Sequence, residues 1–171
     1  SEGLVGSEMC IRDSLKDFIN LRLASPLLDA LEKQGYKRPT PIQIKAIPPA
    51  LEGKDILGTA QTGTGKTAAF TLPILQQLLP VLKNKNKRPI RVLILTPTRE
   101  LALQIHDSIS HYGSQMEVFH SVIFGGVGQK PQTDALRRGV DIITATPGRL
   151  LDLINQGHVN LSRLEYFCLL Y

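Results

Sequence analysis

Eight consecutive residues constrain this chain more than any others: Ala60-Gln61-Thr62-Gly63-Thr64-Gly65-Lys66-Thr67. They follow the short apolar stretch Asp55-Ile56-Leu57-Gly58-Thr59, which reads as a strand. They open a run from Lys66 to Leu79 that reads as a helix, kinked at Pro73. A Gly-rich turn between strand and helix is the setting of a phosphate-binding loop. Glycines let the backbone curl so that successive N–H groups face one anion. The free N–H groups and dipole of the new helix add positive potential. Gln61, Thr62, Gly63, Thr64 and Gly65 form the cradle. Lys66 is placed to reach the β- and γ-phosphates of a nucleotide, and the Thr67 hydroxyl to ligate Mg²⁺. Ala60 stands where the general motif has its first glycine. Such a loop does not by itself separate kinases, GTPases, transporters and helicases.

The rest of the chain agrees with an α/β domain. Its 171 residues suit one domain with a sizeable core. Ser25-Pro26 with Leu27, Leu28 and Leu31 reads as a helix that Ser25 caps and Gly35 ends. Thr40-Pro41 opens a second helix, expected to close near Pro48-Pro49. Val92 to Leu95 is a continuous apolar run, as in a strand buried on both faces. Arg99 to Tyr112 carries Leu101, Ile105 and Ile109 on one helical stripe. A strand over Val118–Phe124, a helix ending near Gly139, a strand over Val140–Ala145, a helix over Pro147–Asn155 and a strand from Leu164 follow. This alternation predicts a mainly parallel sheet with helices on both faces.

The formal charge of +5 fits a polyanionic partner without establishing one. With no Trp, five Phe and four Tyr, base stacking is a poor candidate for the main contact, and phosphate and sugar contacts are favoured. Cys10 and Cys168 form no metal-binding pattern with the four scattered histidines, and a reducing, cytoplasmic setting is expected. No apolar run approaches membrane-spanning length, and no membrane partner is expected. The basic stretch Lys83 to Arg88 reads as a solvated loop.

Three further stretches narrow the class: Gly35-Tyr36-Lys37-Arg38-Pro39-Thr40-Pro41-Ile42-Gln43, Pro97-Thr98-Arg99-Glu100-Leu101-Ala102 and Thr146-Pro147-Gly148-Arg149. Together with Ala60 to Thr67, and in this order, they resemble the motifs of DEAD-box ATP-dependent RNA helicases. The departure at Ala60 is shared with that family. The resemblance covers roughly residues 15–167, and the wording from Gln43 to Leu79 is most similar to the bacterial RhlE-type branch.

The resemblance implies a RecA-like P-loop fold that binds ATP and Mg²⁺, with Lys66 and Thr67 at the catalytic centre. It gives Gln43 the selection of adenine. A Gln side chain carries a donor and an acceptor side by side, matching the adenine edge. Phe18, Tyr36 and Pro39 are expected to frame that pocket. Pro97, Thr98 and Arg99, the pair Gly125-Gly126, and Thr146, Gly148 and Arg149 are expected to grip the backbone of single-stranded RNA. Each follows a strand, where ligands bind in open α/β sheets, and helix-start N–H groups and arginines suit phosphates. Taken singly, Thr98 and Thr146 read as plain helix caps and Gly125-Gly126 as a plain turn. Glu100 is expected to orient neighbouring loops.

The family pattern expects Asp-Glu-Ala-Asp soon after Leu164–Phe167, where the first Asp helps hold Mg²⁺ and the Glu positions water. The text instead reads Cys168-Leu169-Leu170-Tyr171. Leu4 to Ser14 and Cys168 to Tyr171 look foreign to the body and resemble translated sequencing-adaptor text. The expectation is therefore a leader over 1–14, an incomplete ATP-binding domain over 15–167 and a tail over 168–171. The intact parent would be an RNA helicase completed by a second RecA-like domain, and the chain as written would have little ATPase activity. The alternatives are a non-catalytic nucleotide- or RNA-binding remnant, and a different P-loop ATPase such as a DNA helicase.

Overall fold

The computed structural model describes residues 15–83 and 88–170. The expected leader over 1–14, with Cys10, and the residues Lys85, Lys87 and Tyr171 lie outside the described residues. The chain divides into two compact units. One runs to Leu79 and includes His111–Met116; the other holds Pro80–Ser110 and the residues from Glu117 onward.

The first unit is helical: α1 Lys16–Asn20, α2 Ser25–Lys33, α3 Pro41–Leu51 and α4 Lys66–Leu78. Phe18, Leu27, Leu31, Ile47, Leu72, Leu75 and Leu78 are fully buried in it. In α2 the N-cap is Ala24 rather than Ser25, with Pro26 in the first turn. Gly35 exits at φ 76°, as expected of a glycine after a helix.

Helix α3 corrects the expected stop at Pro48-Pro49, because it continues to Leu51. A proline removes only its own N–H, and its fixed φ suits a helix. Its carbonyl still accepts: Glu52 N–H donates to Pro48 O at 3.2 Å and Lys54 N–H to Pro49 O at 3.1 Å. The Gln77 amide of α4 donates to Ala50 O at 2.9 Å, which satisfies an end carbonyl. The neighbouring Gln76 holds the chain before α2, donating to Arg22 O at 2.8 Å and accepting from Ala24 N–H at 2.7 Å. Arg22 adopts φ 62° there.

The strand expected over Asp55–Thr59 is not formed. These residues take no ladder partner, and Leu57 is 92% exposed. A strand needs a neighbour for its N–H and C=O groups, and the described residues of this unit contain no other strand.

The second unit is built on β1 Val92–Leu95, β2 His120–Ile123, β3 Ile142–Ala145 and β4 Tyr166–Leu169. Helices α5 Arg99–Tyr112, α6 Lys130–Arg138 and α7 Pro147–Asn155 connect the strands. All pairings are parallel, in the order β2-β3-β1-β4. This is the expected α/β architecture, with the apolar runs of β1 and β3 at its centre. Leu93, Ile143, Ala145, Ile123, Leu150 and Leu153 form one core cluster. At the edge, β4 alternates, with Phe167 and Leu169 exposed. Cys168 lies within β4, and burial raises its thiol pKa to about 11.

Below the sheet, Arg88 corrects the reading of Lys83–Arg88 as a solvated loop: Lys83 is exposed, but Arg88 is not. Its guanidinium donates to Asp141 Oδ2 at 2.7 Å and to Glu117 O at 3.0 Å, and lies 4.1 Å from the centre of the Phe119 ring. Asp141 also accepts from Phe119 N–H at 2.9 Å. One buried carboxylate thus ties the segments entering β1, β2 and β3. Asp141→Ala would leave the Arg88 guanidinium without its carboxylate partner and the Phe119 N–H without its acceptor. The expected loss is about 3 kcal/mol of unfolding free energy in a urea titration.

His106 and His120, distant in sequence, meet with Nδ1 atoms 3.0 Å apart, and Ser110 Oγ lies 3.3 Å from His120 Nε2. Burial lowers the pKa of both, and the neighbouring His106 adds to the fall of His120 to about 4. A folded pKa below the unfolded value means that the unfolded chain takes up the proton first. Stability contributed by the neutral pair is expected to be intact above pH 6.5 and to fall as pH drops toward 4. Chemical denaturation at stepped pH checks this, and His120→Gln should flatten the dependence over that window.

Candidate functional site

The phosphate-type loop in the first unit has the backbone that its glycines predict. Gly63 has φ 80° and Gly65, the N-cap of α4, has φ 84°. Thr64 Oγ1 closes the turn by donating to Gln61 O at 2.6 Å. Gln61, Thr62 and Gly63 are exposed, while Thr64, Gly65, Lys66 and Thr67 are half-buried. No side chain caps α4, so its first N–H groups stay open to an anion.

Gln43 reaches this loop from α3. It is 1% exposed, and both ends of its amide have partners. Oε1 accepts from Thr40 N–H at 3.0 Å, the side-chain half of a capping box, while Nε2 donates to Gly65 O at 3.2 Å. Thr40 Oγ1 is buried beside them. The structure therefore brings Gln43 and the phosphate-type loop into direct contact. Thr40-Pro41 marked the start of this helix in the sequence; the bonds of the Gln43 side chain to Thr40 and Gly65 were not read there.

Phe18 is completely buried, its ring edge-on to Tyr36 at 6.3 Å between centres. Tyr36 meets Tyr112 edge-on, with hydroxyls 2.7 Å apart. Burial and this hydrogen bond raise the Tyr112 pKa. Pro39 is half-buried just before the capping box.

In the second unit the parallel register fixes three loops. Leu95 pairs with Ala145, and Ala145 with Ile123, so β1, β3 and β2 end level with one another. Thr96 N–H donates to Ala145 O and Thr146 N–H to Ile123 O, each at 2.9 Å, which locks the loop bases together. The stretches Pro97-Thr98-Arg99, Gly125-Gly126 and Thr146-Gly148-Arg149 consequently leave the same edge of the sheet. Pro97, Thr98, Arg99, Gly125, Gly126 and Gly148 are exposed, and Thr146 and Arg149 are half-buried.

The two threonines differ. Thr98 Oγ1 accepts from Leu101 N–H at 3.2 Å as a helix cap. Thr146 sits at the N-cap of α7 but makes no side-chain cap bond. Arg99 lies over the Phe124 ring, 4.6 Å from its centre. Arg149 donates through Nη2 to Val127 O at 2.8 Å. Phe124, Val127 and Gln132, which support this edge, were not singled out by the sequence.

The family model described as DEAD/DEAH box helicase matches residues 40–169. The chain is 48% identical over 160 residues to a protein named probable ATP-dependent RNA helicase ddx27 from Dictyostelium discoideum, covering 93% of the chain and 20% of that protein. It is 46% identical to ATP-dependent RNA helicase DeaD of Escherichia coli, covering 86% of the chain and 23% of the relative. It is 45% identical to ATP-dependent RNA helicase SrmB of Haemophilus influenzae, covering 89% and 34%. The chain thus spans about a fifth to a third of the length of these relatives.

Gly65 offers a direct test of the loop geometry. A Cβ there would need φ 84°, would collide with the Gln43 amide and would lie 2.9 Å from Thr40 Oγ1. At Gly63 the conformational demand is similar, but nothing lies within 4 Å. Gly65→Ala is expected to destabilise by about 1–3 kcal/mol from backbone strain alone, with the collision added, and Gly63→Ala by the strain only. Equal shifts in urea unfolding would contradict a tight Gln43–Gly65 contact.

Proposed function

The chain belongs to the DEAD/DEAH box helicase family, and we propose from that premise that it is the ATP- and RNA-binding part of an ATP-dependent RNA helicase. The observation that carries the reading is the bond from Gln43 to Gly65, which sets the Gln43 amide against the phosphate-type loop. The left-handed glycines, the uncapped start of α4 and the half-buried Thr67 fit a nucleotide phosphate with Mg²⁺. Bound Mg²⁺ would supply charge neutralisation at the phosphates.

In this proposal Lys66 binds the terminal phosphates and Thr67 is the metal ligand. Gln43 reads adenine by exchanging its bonds to Thr40 and Gly65 for the base edge. Such an exchange of neutral hydrogen bonds costs little, about 1 kcal/mol per bond. Phe18, Tyr36 and Pro39 support that pocket from behind, with Phe18 acting through Tyr36. The three loops of the second unit take the backbone of single-stranded RNA. Thr146 has a hydroxyl unspent on capping, and Arg99 and Arg149 supply charge.

The parent protein would separate short duplexes by closing a second RecA-like domain over ATP and RNA. Assignment to the RhlE-type branch and a cytoplasmic location belong to the same proposal. The first rests on the wording from Gln43 to Leu79. Among the described residues no helix is long and apolar enough to cross a membrane. Where the resemblance expects metal-holding and water-positioning carboxylates, the chain reads Cys168-Leu169-Leu170-Tyr171. The remnant reading and the helicase reading therefore agree on binding and differ on turnover.

Two measurements test this. Titration of fluorescent ATP and GTP should show a preference for ATP that Gln43→Ala lowers about tenfold. Equal affinity of the unaltered chain for both nucleotides would remove the adenine-selecting role. Steady-state ATP hydrolysis by the 171-residue chain should match a Lys66→Ala control. Turnover well above that control would overturn the expectation of little activity for this chain.

A further inference from the structure

Gln132 carries none of the roles given above, yet it is only 8% exposed at the start of α6. Its Nε2 donates to Phe124 O at 3.0 Å, immediately before Gly125-Gly126. Its Oε1 lies 3.5 Å from Arg149 Nη1. Arg149 in turn holds Val127 O, immediately after the glycine pair. The Gly125-Gly126 loop is therefore pinned at both sides by one connected pair of side chains. Arg99 joins the same assembly through the Phe124 ring.

We infer that Gln132 is a positioning residue for RNA binding, which locks the Gly125-Gly126 loop and Arg149 into one preformed backbone-gripping surface. This rests on the proposed RNA-binding role of the three loops. Two glycines in succession leave a loop with many accessible conformations, and ordering it on binding would oppose affinity. Fixing Phe124 O and Val127 O in advance removes that cost.

The choice of an amide matters as well. A neutral acceptor orients the guanidinium without cancelling its charge, and Arg149 has further N–H donors to offer a phosphate. A carboxylate at position 132 would form an ion pair with Arg149 and present no donor to Phe124 O. It would both loosen the loop and neutralise the cation.

The test is binding of a fluorescein-labelled single-stranded RNA to the 171-residue chain over a range of salt, beside Gln132→Ala, Gln132→Glu, Arg149→Ala and the double variant Gln132→Ala/Arg149→Ala. Gln132→Ala should weaken binding at least about fivefold, without a change in salt slope. Gln132→Glu should weaken it further and lower the slope of log K against log salt by about 0.7, the loss of one phosphate contact. The double variant should bind no worse than Arg149→Ala, because the two side chains act together. Affinity for fluorescent ATP should be unchanged in Gln132→Ala and Gln132→Glu, which separates a local effect from misfolding. If the unaltered chain binds RNA and the Gln132 variants match it, the positioning role is wrong while the RNA reading stands. If the unaltered chain does not bind RNA, the RNA reading fails and this inference falls with it.

Discussion

The parallel register of β1, β2 and β3 is the constraint on which the second unit depends. A parallel pair cannot be closed by a tight hairpin, so each strand must return through a crossover. Helices α5, α6 and α7 follow β1, β2 and β3 in turn. Every strand-to-helix junction then falls on the same edge. Because Leu95, Ala145 and Ile123 are level, the three junctions also start at one height. Neighbouring strands lie about 4.8 Å apart, so three loops far apart in sequence become adjacent. No loop residue need specify this; the ladder does. The opposite edge is held by Asp141, whose single carboxylate serves Arg88 and the Phe119 backbone.

What the sequence disclosed follows from how local the cause is. Helices α5 and α7 were legible to the residue. Arg99–Tyr112 has an apolar stripe at helical spacing, and Pro147 starts the other at a position where a missing N–H costs nothing. The apolar runs of β1 and β3 announced buried strands. Pro48-Pro49 misled because proline's local rule forbids a donor, while the helix is maintained by acceptors and by the Gln77 amide from α4. Asp55–Thr59 misled because a strand exists only with a partner. The composition of those five residues carries no information about whether one is present.

The site divides along the same line. Glycines needing positive φ, the helix start at Thr40-Pro41, and the loops after strands all have local signatures. The Gln43–Gly65 bond, the burial of Arg88, the His106–His120 contact and the bridge from Gln132 to Phe124 and Arg149 do not. Each joins residues between 8 and 53 positions apart. None belongs to a recurring pattern that one sequence could display. Arg88 shows how composition deceives: a cation among lysines looks solvated, yet its guanidinium completes a buried ion pair.

Gln43 and Gln132 solve one physical problem in two places. If the two loops receive phosphates as proposed, each must be held rigidly while its cations keep their charge. A carboxylate would hold such a loop well, but it would repel the ligand and neutralise a neighbouring Lys or Arg. A glutamine amide offers a donor and an acceptor with no net charge. Gln43 uses both on Thr40 N–H and Gly65 O. Gln132 uses them on Phe124 O and Arg149. Both partners of Gln43 and one of the two partners of Gln132 are backbone, so each amide helps fix the path of the chain without adding charge to the site. The difference lies in what can replace the amide's partners. Gln43 bonds one N–H and one carbonyl, the same complement that an adenine edge presents, so its bonds are exchangeable. Gln132 holds a carbonyl and a cation, a combination that a phosphate cannot substitute. The first amide suits a reader of ligands, and the second a fixed brace.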